Sequence, residues 1–256
     1  MRAIVCKDWG DPETLELGEL PEPALGPGQV RIRMRAAGVN FADCVLVRGQ
    51  YQEKPELPFA PGLEGAGEIM EVGDGVTEFK PGDRVMAVVS TGAYAEQAVC
   101  EATTVFHMPD GMDNATAAAF PVAYGTSHLA LVHRAKLKAG ETVLVLGAGG
   151  GVGLTAVECA KAMGATVIAA ASTPEKLELA RARGADHLIN YTEEDLRGAL
   201  RKITDGNGVD VVYDPVGGEL AQTAMRSLAW SGRLLVIGFA SGDVPQFPSN
   251  YLLVKN

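Results

Sequence analysis

The chain has 256 residues, with 22 basic against 32 acidic side chains and a formal charge of −10 at pH 7, a balance that disfavours a nucleic-acid or anionic-membrane surface. Hydrophobic residues make up 47% and charged residues 21%, which supports a buried core in one large or two modest domains and argues against disorder. The longest apolar runs, near residues 143–146 and 234–237, fall far short of the ~20 that cross a bilayer. The opening MRAIVCKDWG lacks the apolar core of a secretory signal, so the expected location is the cytoplasm.

The first 110 residues are rich in proline and in short alternating segments. In VRIRMRA, Val30, Ile32 and Met34 alternate with Arg31, Arg33 and Arg35, a period of two that predicts a half-buried strand. Further strands are expected at 3–6, 67–71, 84–89 and 94–99, separated by turns such as Pro61-Gly62, Gly73-Asp74-Gly75 and Pro81-Gly82-Asp83. Short strands with close turns predict a compact β-barrel.

From Asp113 to Ala135 an Ala-rich stretch with Pro121 near a helix start predicts two helical pieces, and the domain boundary is placed at 118/119. Strands then alternate with helices: strand 142–146, helix 151–163, strand 166–170, helix 174–183, strand 187–189, helix 193–203, strand 209–213, helix 218–229, strand 233–237. This βαβ winding predicts a doubly wound parallel sheet over 119–256, an α/β nucleotide-binding architecture. Five strands are expected where that fold usually has six. The carboxyl end therefore reads as incomplete, with 233–237 left as an edge strand in need of cover.

Cys6, Cys44, Cys100 and Cys159 form no CxxC pair and read as reduced, semi-buried hydrophobes. His107, His128, His133 and His187 form no HExxH, and the five-residue spacing of His128 and His133 is awkward for one helix face. No metal site is expected.

Strand TVLVLG runs into Gly147-Ala148-Gly149-Gly150-Gly151-Val152-Gly153 and then into a helix. Glycines there let the backbone approach a pyrophosphate, and the helix N-terminus receives its charge. The spacing is GxxGxxG, and no GK[ST] follows, which excludes a P-loop. After the next strand, TVIAAA, comes Ser172-Thr173-Pro174-Glu175-Lys176. An NAD site places an acid at that strand end, whereas a 2′-phosphate needs donors and positive charge, which Ser172 and Lys176 supply. Ser172 or Thr173 also reads as a simple helix N-cap before Pro174, and Glu175 as an NAD-type acid from another angle. NADPH is the favoured cofactor.

The segments AAGVNFADCVLVRGQY (36–51), PFAPGLEGAGEIMEVG (58–73), FKPGDRVMA (79–87), GAYAEQAV (92–99), GAGGGVGLTAVECAKAMGA (147–165) and GADHLINY (184–191) resemble the zeta-crystallin-like NADPH:quinone oxidoreductases, the zinc-free branch of the medium-chain dehydrogenase/reductase superfamily. The resemblance implies a GroES-like β-barrel catalytic domain (1–118) followed by a Rossmann domain (119–256), with cofactor and substrate between them. Zinc-dependent relatives carry ligands where this chain has Asn40, Leu63 and Val122, so the resemblance implies metal-free hydride transfer. It places Asn40 and Asp43 near the nicotinamide and its ribose, with Asp43 also readable as a turn or cap residue. It places Thr126 at the nicotinamide amide, and Gly149, Gly150, Gly151 and Val152 on the pyrophosphate. Ser172, Lys176 and Tyr191 fall at the 2′-phosphate, with Tyr191 also readable as a strand-end aromatic. Val216, Gly238, Phe239 and Ala240 border the nicotinamide. Many relatives have a tyrosine where Val45 stands. The implied reaction passes hydride from NADPH to a quinone or similar conjugated carbonyl. A 2-alkenal or enoyl C=C reductase, or a cofactor-binding protein with little turnover, stands as the alternative. In the resembling family the chain continues into a sixth strand that pairs two copies, so a homodimer is implied for a longer form.

Overall fold

The computed structural model describes residues 1–255. Contacts divide the chain into two compact units, Met1–Val122 and Ala123–Asn256, where the sequence expectation put the division at 118/119. No helix among the described residues is long and apolar enough to cross a membrane.

In the first unit β1 (Arg2–Val5) pairs antiparallel with β2 (Glu16–Glu19). Then come β3 (Gln29–Ala37), α1 (Phe41–Val47), β4 (Glu64–Val72), β5 (Arg84–Val88), β6 (Gln97–Glu101), β7 (Val105–His107) and α2 (Asn114–Ala118). The last five strands form an antiparallel sheet in the order β6-β3-β4-β5-β7. The alternation in β3 is realised: Val30 and Ile32 are fully buried, while Arg31 and Arg35 pair across to Glu71 and Glu68 on β4. The strand expected at 94–99 splits. Residues 94–96 bond to β1, through Ile4 N–H to the Tyr94 carbonyl and Glu96 N–H to the Arg2 carbonyl, and β6 proper begins at Gln97. That split joins the two-stranded ribbon to the sheet. The polar β2, the three-residue β7 and the short α1 carry too little periodicity to be read from the sequence.

At the end of this unit α3 (Pro121–His128) begins on its helix-starting proline. The second unit then carries β8 (Thr142–Leu146), α4 (Gly151–Ala162), β9 (Thr166–Ala171), α5 (Pro174–Ala182), β10 (His187–Asn190), α6 (Leu196–Ile203), β11 (Val209–Asp214), α7 (Gly218–Arg226), β12 (Leu228–Val236) and α8 (Ser249–Lys255). All five strands are parallel, in the order β10-β9-β8-β11-β12. Val143, Leu144, Val145 and Leu146 are fully buried, and alternate residues belong to separate apolar clusters on the two faces. This is the packing that doubly wound sheets require.

Two expectations need correction. The helix expected over 218–229 stops at Arg226, and β12 starts at Leu228 instead of 233. Leu228 pairs with Val209, the chain bulges, with Ser231 at φ +59°, and pairing resumes at Arg233 opposite Val211. A local helical pattern is overridden there by sheet pairing. The histidines five apart do share a face. Beyond α3 the backbone widens into a π-helical turn, Leu129–Arg134, whose i to i+5 repeat sets the rings of His128 and His133 5.7 Å apart. On the outer strand β12, Val236 is 51% exposed.

Candidate functional site

The residues singled out from the sequence fall into two groups, one in each unit. In the first unit, Asn40 is the N-cap of α1. Its N–H donates to Asp43 Oδ2 at 2.8 Å, and its carboxamide Nδ2 donates to Glu64 Oε1 at 2.8 Å. Asp43 is 4% exposed and Glu64 2%. Tyr94 donates its hydroxyl to Asp43 Oδ2 at 2.9 Å, and Val122 N–H donates to Glu64 Oε2 at 2.8 Å. Burial pushes both carboxyls above their ordinary range; hydrogen bonds oppose it, and the charge of Asp43 raises Glu64 further. Burial likewise pushes the Tyr94 hydroxyl well up, with the neighbouring Asp43 charge adding to it. The hydrogen bonds of Asp43 are those of a buried capping residue.

Glu64 and Tyr94 were not anticipated from the sequence. A usable signal was present: an acid inside the run Leu63-Glu64-Gly65-Ala66-Gly67 with no basic neighbour. The three positions aligned with zinc ligands meet around this acid. Asn40 and Val122 bond to it, and Leu63 precedes it. Asparagine, leucine and valine side chains give a divalent cation no adequate donor set. Among the described residues no three His, Cys, Asp or Glu side chains are grouped to hold a metal.

In the second unit the glycine loop links β8 to α4. Gly150 is the N-cap, with no side chain accepting from the first turn and no acid within it. A Cβ on Gly153 would stand 2.3 Å from the Gly147 carbonyl, so loop and helix touch through backbone. A Cβ on Gly151 would meet nothing within 4 Å beyond its own helix, so that side of the first turn is open. Val152 packs its side chain on the core. Gly149 lies against Lys176, whose Nζ donates to Ser172 Oγ at 3.3 Å. Lys176 makes no ion pair among the described residues. Thr173, not Ser172, caps α5, and Glu175 is exposed in its first turn. Tyr191 N–H donates to the Ala171 carbonyl at 3.3 Å, which brings the ends of β9 and β10 together beside Ser172.

The stretch after β11 closes the same end of the sheet. Asp214 is fully buried; its Oδ1 accepts from the N–H groups of Val216 and Gly217, each at 2.9 Å, and its Oδ2 has no hydrogen-bond partner among the described residues. Burial raises its proton affinity above the ordinary value, against those two donors. Its carbonyl accepts from Ile237 and Gly238, Ala240 N–H donates to the Pro215 carbonyl, and Phe239 abuts Gly217. Val216 in turn lies against Gly147. So Val216, Gly238, Phe239 and Ala240 gather with the glycine loop at the carboxyl ends of β8 and β11, where strand order reverses and such sheets bind ligands. Thr126 lies half-buried on α3. Beside it the buried Ser127 hydroxyl meets Thr155 Oγ1 at 2.8 Å and Tyr213 OH at 3.0 Å, fixing α3 to α4 and β11. Open backbone donors at the helix start and an unpaired cation beside a hydroxyl at the next strand end fit a dinucleotide carrying a 2′-phosphate.

Comparison with known proteins agrees with this layout. Residues 26–110 match the alcohol dehydrogenase GroES-like domain and residues 151–256 the zinc-binding dehydrogenase family. The chain is 44% identical over 256 residues to quinone oxidoreductase-like protein 2 of Mus musculus, covering 100% of this chain and 73% of that protein. It is 42% identical over 237 residues to a quinone oxidoreductase of Pseudomonas aeruginosa, covering 92% of this chain and 73% of that protein. The crystal structure of Escherichia coli quinone oxidoreductase complexed with NADPH superposes with a TM-score of 0.92 at 33% identity, over 100% of this chain and 78% of that one.

Proposed function

We propose, for a chain that belongs to the zinc-free, quinone-oxidoreductase-like branch of the medium-chain dehydrogenase/reductase superfamily, that it catalyses NADPH-dependent reduction of a quinone or similar conjugated carbonyl. The observation that carries the cofactor is the pairing of Lys176 with Ser172 beside an open glycine loop. When bound, NADPH supplies the hydride. The backbone of Gly149, Gly150, Gly151 and Val152 takes the pyrophosphate, and the first turn of α4 turns its N–H groups to that charge. Ser172, Lys176 and Tyr191 hold the 2′-phosphate. Val216, Gly238, Phe239 and Ala240 border the nicotinamide and keep water from it, and Thr126 donates to its amide.

Reduction of a quinone transfers two electrons with the hydride, and a proton from solvent completes the hydroquinone. The anion formed is delocalised, so a neutral donor such as the Asn40 carboxamide is sufficient at the acceptor oxygen. Asp43 acts through Asn40, whose main chain it fixes. No step needs a Lewis acid, and turnover should survive dialysis against a strong chelator. Pairing of two copies is part of the same proposal, carried by the resemblance alone, and sedimentation checks it.

The test follows nicotinamide absorbance with a benzoquinone, with a 2-alkenal, and with no acceptor. Acceptor-dependent oxidation with the quinone supports the reading. Oxidation with the alkenal alone reassigns the acceptor to a C=C bond, and NADPH binding without oxidation reassigns the chain to a binding protein.

A further inference from the structure

Two carboxylates of the first unit lie out of water, and each hydrogen bond they accept comes from a neutral donor. Such burial is costly unless donors are well placed. Asn40 is held by both: Asp43 takes its main-chain N–H and Glu64 takes its side-chain N–H. Glu64 is anchored in turn by Val122 N–H on α3. Its surroundings are tight, because a Cβ on Gly38 would stand 2.3 Å from Glu64 Oε1 and 2.7 Å from the Ala118 carbonyl.

A carboxamide has a donating and an accepting end of nearly the same shape, and nothing in its own size selects between them. A carboxylate only accepts. Facing Glu64, the Asn40 amide therefore turns its nitrogen inward, and what it offers on its accessible side is set. We infer that Glu64 is a positioning residue that, as a buried carboxylate, holds the Asn40 carboxamide in one of its two orientations for hydride transfer. This rests on the proposed function.

Protonation makes the consequence visible. The groups around Glu64 are Asn40 and Asp43 of α1, Val122 of α3, and the backbone of Gly38 and Ala118, with Tyr94 behind Asp43. Asp43 is the charged group acting on it, and burial with that charge raises its affinity for a proton. A protonated Glu64 must donate, and in this proposal it donates to Asn40 Oδ1, so the amide that now faces it with nitrogen turns over. Activity should then fall on the acid side, and that fall should be lost in Glu64→Gln, which leaves Asp43 in place.

The experiment uses the full chain as wild type, Glu64→Gln, Asn40→Ala and the double variant. Glutamine keeps the volume but removes the obligatory acceptor. Glu64→Gln should lower kcat with NADPH and a benzoquinone by about 10- to 100-fold, leave the Kd for NADPH unchanged, and add nothing to the loss in Asn40→Ala. In protein free of cofactor and acceptor, the side-chain amide NMR signals of Asn40, assigned by their loss in Asn40→Ala, should move with pH in wild type and stand still in Glu64→Gln. Additive losses in kcat would overturn the inference. So would an Asn40 amide that ignores pH in wild type, or one that still titrates in Glu64→Gln. If wild type shows no acceptor-dependent oxidation, the proposed function fails, while the amide titration still decides the positioning. Melting curves of each variant show that the fold is kept.

Discussion

Asn40 and Gly150 both stand at the N-terminus of a helix, and the two helices treat their free N–H groups differently. At α1 the chain supplies its own anion: Asp43, in the first turn, accepts the Asn40 N–H and is itself buried with Tyr94 on the same oxygen. At α4 the cap is a glycine, the first turn holds no acid, and no side chain accepts there. Two neighbouring helices of the second unit are closed by side chains, α5 by Thr173 and α6 by Asp195, while Asp214 takes the N–H groups of Val216 and Gly217 before α7. A helix start that keeps its donors open retains the partial positive charge that attracts an external phosphate. One that is self-capped spends it on rigidity.

The largest test of that contrast compares two glycines of α4. Gly153→Ala places a Cβ against the Gly147 carbonyl and 2.8 Å from Ala148 Cα, both backbone, so loop and helix must separate. Calorimetry should show NADPH binding weakened by about 100-fold or more, with stability lower by about 1–3 kcal/mol. Gly151→Ala meets open space in the free protein and should melt no lower than wild type. Equal melting of the two variants would break the claim that the loop is held by close backbone contact.

At the adjacent strand end, Lys176→Ala should weaken NADPH by about 10- to 100-fold and leave NADH nearly unchanged, the loss of one hydrogen bond to a charged group. Titrations with both cofactors read it. Equal losses would make Lys176 an ordinary solvated helix lysine.

A smaller effect sharpens the other half of the comparison, in which side chains satisfy one another. Ser127→Ala strands the Tyr213 hydroxyl, whose proton burial holds up to about 12. Denaturant unfolding should show a loss of about 1–3 kcal/mol, and Tyr213→Phe, which leaves Ser127 its bond to Thr155, should lose less.

The smallest effect is in pH dependence. Asp214 has a proton affinity raised above its ordinary value of 3.8. Its favourable contribution is therefore fully present below that value and is lost as pH rises through the raised one. Asp214→Asn keeps an acceptor for Val216 and Gly217 and does not ionise. Between acid and neutral pH the difference in melting temperature should shift in favour of the variant. A difference that is constant with pH would show that Asp214 titrates normally.

Much of the second unit was legible in the sequence. Its strands are continuous apolar runs, its helices have a 3.6 period, and the glycine loop lies where one becomes the other, so local pattern and global fold agree. Residues 218–232 are the exception. Leu228 extends the pattern of α7 but is taken by Val209 into the sheet, and pairing outweighs a helix preference of less than about 1 kcal/mol per residue. The π-helical turn was equally hidden, because a spacing of five reads as two faces until the backbone widens.

What the sequence by itself determined is the βαβ winding, the open cap at Gly150 and the cationic strand end at Lys176. Each depends on residues within a few positions of one another, where steric and hydrogen-bonding preferences act without the rest of the chain. Only the tertiary structure decided that Asn40 lies between two buried acids. The bonds involved span 24 residues from Asn40 to Glu64, 51 from Asp43 to Tyr94 and 58 from Glu64 to Val122. No local period records such pairs, because they form when sheet and helices close over Glu64 and remove the water that would otherwise solvate it.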